Sequence, residues 1–263
     1  MKSIIKVTRK ITILLFIYSL LNVANAAVIH WADWTSGTNT SAQGEFVTPT
    51  SQIDISYENT QGIAFLQKGV GIDFYRNLQD ISISPYTSDF VDNIPPPAEM
   101  VALQYQGTQT LSFSETVANP VFAYVSLNRN GYAFDQDFEI LSVGDGVDNL
   151  PGYWGTGTSY KEVVDLGSGV MEYRLLGTGE PHGTLRFTGA FDEVSWQSLS
   201  NEYWNGFTVG IEGTAEEIFN DYPGGSNGGS GGVVDVAEPG TLGMFALGLI
   251  VLGFKRLKNR ALI

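Results

Sequence analysis

Apolar residues at every second position, in short runs cut by glycine-rich turns, restrict the fold of this 263-residue chain more than any other feature. Leu111 and Phe113 alternate with Thr110, Ser112 and Ser114, and Leu185 and Phe187 with Arg186 and Thr188. Val194 and Trp196 repeat the pattern, and Phe207, Val209 and Ile211 alternate with Thr208, Gly210 and Glu212. Phe134, Phe138 and Ile140 share one parity, with Asp135, Asp137 and Glu139 on the other. Period two reads as strands with one face in the core and one in water. Asn130-Gly131, Gly144-Asp145-Gly146 and Gly177-Thr178-Gly179 read as turns between them. No long helical stripe interrupts the strands, so no βαβ unit is expected. Only Thr214-Ala215-Glu216-Glu217 has capping-box spacing, which predicts a short helix after the last strand. Pro95-Pro96-Pro97 marks a loop or a sheet edge. The expectation is an all-β fold: a single antiparallel β-sandwich or jelly-roll-like domain over residues 27–220.

Charge divides the chain into a body and two ends. The whole carries 14 basic and 28 acidic side chains, a net charge of −14. Residues 1–26 hold Lys2, Lys6, Arg9 and Lys10 without an acid, and residues 238–263 hold Lys255, Arg256, Lys258 and Arg260 against Glu238 alone. The body between them has 6 basic and 27 acidic groups, a net charge of −21. Such a body repels phosphate backbones, and nucleic acid is excluded as a partner. With no cysteine, there is no disulfide, thiolate metal site or cysteine nucleophile.

The N-terminal end reads as an export signal. A basic start precedes the apolar run 11–21, which is too short for a bilayer needing ~20 helical residues. Ala24-Asn25-Ala26 then supplies a small-x-small cleavage site, so the mature chain is expected to begin at Ala27. Signal peptidase and the Sec machinery are the implied partners.

Chemistry in the body is sparse. Gly224-Gly225-Ser226-Asn227-Gly228 matches the form of a serine-hydrolase elbow but lies in a Gly/Ser run, not between a strand and a helix. His30 and His182 are too few for a zinc site, and His182, in Glu180-Pro181-His182-Gly183, reads as part of a turn. Asp135, Asp137, Asp145 and Asp148 are candidate calcium ligands, although their spacing departs from the helix–loop–helix calcium loop; the alternative is a solvated acidic face. No other cofactor is expected. Trp31 and Trp34, Tyr153-Trp154 and Tyr203-Trp204 are open to two readings. They pack the core and cap its ends, or Trp154, Tyr203 and Trp204 form a platform on which sugar rings stack. A glycosidase needs two carboxyl groups ~5–9.5 Å apart, which spacing along a chain does not show.

The C-terminal end is the most specific. A Gly/Ser-rich linker, 221–237, leads into Glu238-Pro239, an apolar run at 241–254 and the basic tail 255–260. As a helix the run is about 21 Å long at 1.5 Å per residue, against a hydrocarbon core of ~30 Å. With residues 236–240 it spans a thinned bilayer, the basic tail staying on the cytoplasmic side. This order resembles the PEP-CTERM sorting signal: a Pro-Glu-Pro box, a short apolar helix and an Arg/Lys cluster. Here the box reads Ala237-Glu238-Pro239, with alanine in place of the first proline. Residues 31–35, 134–140, 151–155 and 203–209 also look like stretches of uncharacterised PEP-CTERM β proteins. The resemblance implies a Gram-negative host and an exosortase that acts at Glu238, Pro239, Lys255, Arg256, Lys258 and Arg260. It further implies a membrane-tethered intermediate and a final place at the cell surface or in an exopolysaccharide matrix. The expected function is a non-catalytic surface or biofilm-matrix protein. A carbohydrate-binding module is the alternative, and a polysaccharide-active enzyme the third.

Overall fold

The computed structural model describes residues 26–128, 130–144 and 150–219. The strands run in chain order as β1 His30–Trp31, β2 Asp33–Gly37, β3 Ser41–Val47, β4 Gln52–Asn59 and β5 Ile63–Gln67. Then come β6 Met100–Leu103, β7 Gly107–Ala118, β8 Val121–Val125, β9 Gly131–Phe134 and β10 Glu139–Val143. The rest are β11 Gly157–Gly167, β12 Val170–Gly179, β13 Gly183–Arg186, β14 Ala190–Ser198, β15 Asn205–Ile211 and β16 Gly213–Thr214, closed by helix α1, Ala215–Ile218.

They form two antiparallel sheets. One has the order β10-β13-β8-β15-β6-β5 with β1 also on β15; the other has the order β11-β12-β9-β14-β7-β4-β3-β2 with β16 also on β7. The alternating apolar residues of both sheets meet in one aromatic core. Phe122 is at its centre, 5.3 to 6.0 Å from the rings of Phe134, Phe187, Trp196 and Phe207. Edge-to-face and stacked pairs of this kind add to simple burial.

The expected alternation of dry and wet faces fails in the middle of the seven-stranded sheet. Phe207, Val209 and Ile211 face the shared core, but Thr208 and Gly210 are buried as well. Val121, Ala123 and Val125 of β8, with Met100 and Ala102 of β6, join a second core on the opposite face. Residues 68–99, which contain no helix or strand, form a strap over that face through Phe74, Tyr75, Tyr86 and Val91. Gly206 leaves room for the Met100 side chain of the neighbouring strand β6 on that face: a Cβ there would stand 2.3 Å from its sulfur. The Pro95-Pro96-Pro97 triplet lies in this strap, just before β6.

The strap also holds the start of the domain. Ala27 N–H donates to the Phe90 carbonyl (3.1 Å), and Asp92 N–H to the Ala27 carbonyl (2.9 Å). The Asn93 amide side chain accepts from Ile29 N–H (2.7 Å) and donates to its carbonyl (2.8 Å), replacing a neighbouring strand. At the other end, the predicted capping box forms: Thr214 Oγ1 accepts from Glu217 N–H, and the Glu217 carboxylate accepts from Thr214 N–H. Glu217 also accepts from Thr48, Thr50 and Ser51, fastening α1 to the β3–β4 turn.

Two further expectations are corrected. Gly177-Thr178-Gly179 is the end of strand β12 and not a turn, its backbone paired with residues 157–159. Asp135, Asp137 and Glu139 do not share a strand face, because β9 ends at Phe134 and Glu139 opens β10 in the other sheet. The chain crosses between sheets there because Phe134 and Phe138 both enter the shared core, with ring centroids 5.4 Å apart. Among the described residues no helix is long and apolar enough to cross a membrane. Residues 1–25 and 220–263, which include Ala24, the linker and the sorting signal, lie outside the described residues.

Phe122→Ala removes a ring that four other core aromatics touch. It is expected to cost ~3–5 kcal/mol in denaturant unfolding, with no change in the order of the strands. A loss below ~1 kcal/mol would show that the two sheets do not depend on that cluster.

Candidate functional site

Trp154 and Trp204, far apart in the chain, come together on the strap side of the domain. Residues 150–156 form a tight turn: Gly152 N–H donates to the Gly155 carbonyl (2.7 Å), and Gly155 N–H returns to the Gly152 carbonyl (3.4 Å). Gly155 has φ +129°, a conformation that glycine alone adopts readily. Asn77 of the strap donates to the Gly152 carbonyl (3.1 Å), so Tyr153 and Trp154 are held at the tip of the turn. Trp204 comes from the connection between β14 and β15, Phe74 from the strap and Phe65 from β5.

These five rings form one continuous cluster. Phe74 lies nearly parallel to Trp154 (5.4 Å, 27°) and edge-on to Tyr153 (4.9 Å) and Trp204 (5.2 Å). Trp204 in turn meets Trp154 at 5.3 Å and Phe65 at 5.2 Å. Tyr153 and Trp204 pack on the second core, whereas Trp154 is 43% and Phe65 37% exposed. Phe74 covers one side of Trp154, so the exposure belongs to the remainder of that ring. Tyr203 is 92% exposed beside Trp204 and outside the cluster of rings. Of the sequence-expected platform, the structure unites Trp154 and Trp204 and leaves Tyr203 standing free at the rim.

His182 is the buffer behind this turn. It is buried, with Nδ1 2.6 Å from the Glu180 carbonyl and Nε2 3.4 Å from the Leu150 carbonyl. Its ring fills the space a Cβ at Gly152 would occupy, 2.7 Å from Nδ1. Burial lowers its pKa, and the two carbonyls and the nearby Glu180 charge oppose that only in part. It supports the 150–156 turn from a short irregular connection, residues 180–182, that leads into β13.

Glu202 was not singled out by any pattern in the sequence. It sits in an irregular connection, and nothing in the spacing of residues 199–204 predicts its surroundings. Its carboxylate accepts from Asn205 and Asn130 side chains, and Tyr132 donates its hydroxyl to Asn205 behind it. Burial pushes Glu202 up to about 7, against those hydrogen bonds, and the nearby Glu180 charge adds to the rise. Glu180 is itself fixed by Ser126 Oγ (3.0 Å) and Asn128 Nδ2 (2.8 Å).

The remaining candidates are dispersed. Trp31 and Trp34 belong to the cores. Asp137 is engaged by Lys161, while Asp135 lies on the outer side of the nine-stranded sheet; Asp145 and Asp148 fall outside the described residues. Among the described residues no three His, Asp or Glu side chains converge as a metal site would require. Ala26 and Ala27 open the described chain; Ser226, Glu238, Pro239 and the basic tail lie beyond it. No family model, curated protein or solved structure matches the chain.

A carboxyl whose folded pKa lies above its unfolded value stabilises the fold less as pH rises through that interval. Glu202 therefore makes the domain lose stability between about pH 4.5 and 7. Glu202→Gln is expected to flatten the melting temperature across that range and to raise it at pH 8. An unchanged pH profile would show that Glu202 is as well solvated in the folded chain as in the unfolded one.

Proposed function

We propose that this chain is an exported, non-catalytic protein of the cell surface or extracellular matrix, whose β domain binds an uncharged polysaccharide. The observation that carries the reading is the meeting of Trp154 and Trp204 in an aromatic cluster whose outer rings remain open to solvent. A sugar ring has an apolar C–H face, and an aromatic ring backed by others offers it a preorganised surface with little entropy left to lose. Phe74, stacked behind Trp154, and the Gly152–Gly155 turn supply that backing. Nearby charge supports an uncharged ligand: Arg76 of the strap is paired with Asp73 at 2.9 Å, and the body as a whole is strongly acidic. The PEP-CTERM-like tail and the export signal supply the setting in which such a domain reaches an exopolysaccharide.

Affinity electrophoresis of the chain through the host's own neutral polysaccharide tests the domain's role. Trp154→Ala is expected to weaken binding at least about tenfold, ~1.4 kcal/mol, while the domain stays folded with only a small drop in melting temperature, since Trp154 is the most exposed of the five rings. Equal retardation of both proteins would remove the glycan from the proposal. Release of reducing ends that is lost in Glu202→Gln would overturn its non-catalytic half and make Glu202 the acid of a hydrolase.

Sorting is tested separately. The double variant Glu238→Ala, Pro239→Ala is expected to stay in the inner membrane when cells are fractionated. Arrival at the surface in wild-type amounts would rule out an exosortase acting on this tail.

A further inference from the structure

The nine-stranded sheet has a gap one strand wide. β9 lies between β12 and β14 but is only four residues long, and both of its neighbours continue past its end. Its pairing with β12 stops at Phe134↔Tyr173, and its pairing with β14 stops at Phe134↔Trp196. Beyond those points residues 170–172 of β12 pair only with β11, and residues 193–195 of β14 pair only with β7. Each strand thus presents backbone N–H and C=O groups to the other without a ladder partner among the described residues. Two strands flanking a third stand ~9.6 Å apart, twice the usual spacing, and three residues of strand run ~10 Å.

The gap opens on the outer face as a cleft of about 210 Å³. Asp135, Ser195, Gln197 and Thr108 line its polar side; Val170 and Met171 line the other. Phe134 and Phe138 close the sheet beneath it by packing into the shared core. Its charge is one-sided. Asp135 follows the end of β9 with its carboxyl pushed up by burial and by the Glu193 charge; the register puts it level with Ser195 of β14, and Glu193 lies two residues further along that strand. Glu172, on the opposite wall, is taken by Arg174 at 2.6 Å. Asp135 receives no hydrogen bond from another described residue's side chain, so it has acceptor capacity to offer an incoming group.

We propose that this gap is a docking site for an extended, lysine- or arginine-bearing peptide segment of a partner protein, which enters between β12 and β14 and continues the ladder that β9 leaves unfinished. Backbone pairing to two edges supplies affinity without regard to sequence, the apolar wall of Val170 and Met171 takes one side chain, and Asp135 with Glu193 selects a cation. A sugar ring fits the volume but leaves both strand edges unpaired. The site is on the sheet opposite the strap, and its residues are separate from the Trp154–Trp204 cluster.

The test uses the full chain in detergent and the capped pentapeptide Lys-Val-Thr-Val-Lys, with amide hydrogen exchange as the readout. Millimolar peptide is expected to slow exchange at least about tenfold at residues 170–172 and 193–195, with the remainder of the sheet unchanged. Asp135→Lys is expected to abolish that protection, and Glu193→Lys serves as a second charge reversal should the first fail to fold. Absence of protection at these two edges, protection that survives both reversals, or equal protection by the neutral peptide Ser-Val-Thr-Val-Ser would overturn the proposal. Protection of the same residues by glucose but not by the peptide would overturn it in favour of a sugar.

Discussion

The centre of the seven-stranded sheet is dry on both sides, and a dry antiparallel sheet needs a cover over each face. The nine-stranded sheet supplies one cover. The other is residues 68–99, a segment without regular structure, which must satisfy its own backbone where it leaves water. It does so largely with side chains. Asn77 Oδ1 accepts from the N–H groups of Gln79 and Asp80, Gln67 brackets Ile72 through both N–H and C=O, and Asn93 does the same for Ile29. Glu99 ties the strap to β2, its buried carboxylate accepting from Trp34 N–H (2.8 Å) and Gly69 N–H (2.6 Å). Tyr75 and Tyr86 meet edge-on at 5.1 Å; Tyr75 donates to the Glu99 carbonyl within the strap, and Tyr86 anchors it to the sheet by donating to the Tyr124 carbonyl of β8.

The aromatic surface is a by-product of that cover. Near the start of the strap Phe74 packs in the second core, and Trp204 and the Tyr153–Trp154 turn close against it. Rings chosen to seal a second core therefore also face outward at its margin. Under the proposed function the same residues serve packing and recognition, and Trp154 is the one whose removal separates the two roles. Its stacking partner Phe74 is itself buried, so the exposed ring rests on a fixed floor.

Alternation made β7 and β14 of the nine-stranded sheet legible: Leu111 and Phe113, and Val194 and Trp196, point inward as period two requires. The strap was not legible, because polar side chains that satisfy backbone groups in irregular positions follow no period. Thr208 and Gly210 read as a wet face because small or polar residues look alike whether they face water or a second layer. Residues 134–140 kept one parity through a crossing between sheets, since Phe134 and Phe138 enter the same core from two different elements. The encounter of Trp154 with Trp204 depends on residue Phe74, which carries no signal of its own. Glu202 owes its environment to Asn130, Asn205 and Tyr132, none of which lies in a recognisable pattern with it.

Chain order gives the seven-stranded sheet a timing. Its first strand, β1, pairs with β15, the last long strand of the domain, and β15 also lies between β6 and β8. A chain emerging from its N-terminus first exposes β1, β6 and β8 long before their common neighbour appears. Contacts so distant in sequence form late and slowly. Until residue 211 has been added, β6 and β8 lack the strand that joins them, and neither core can close.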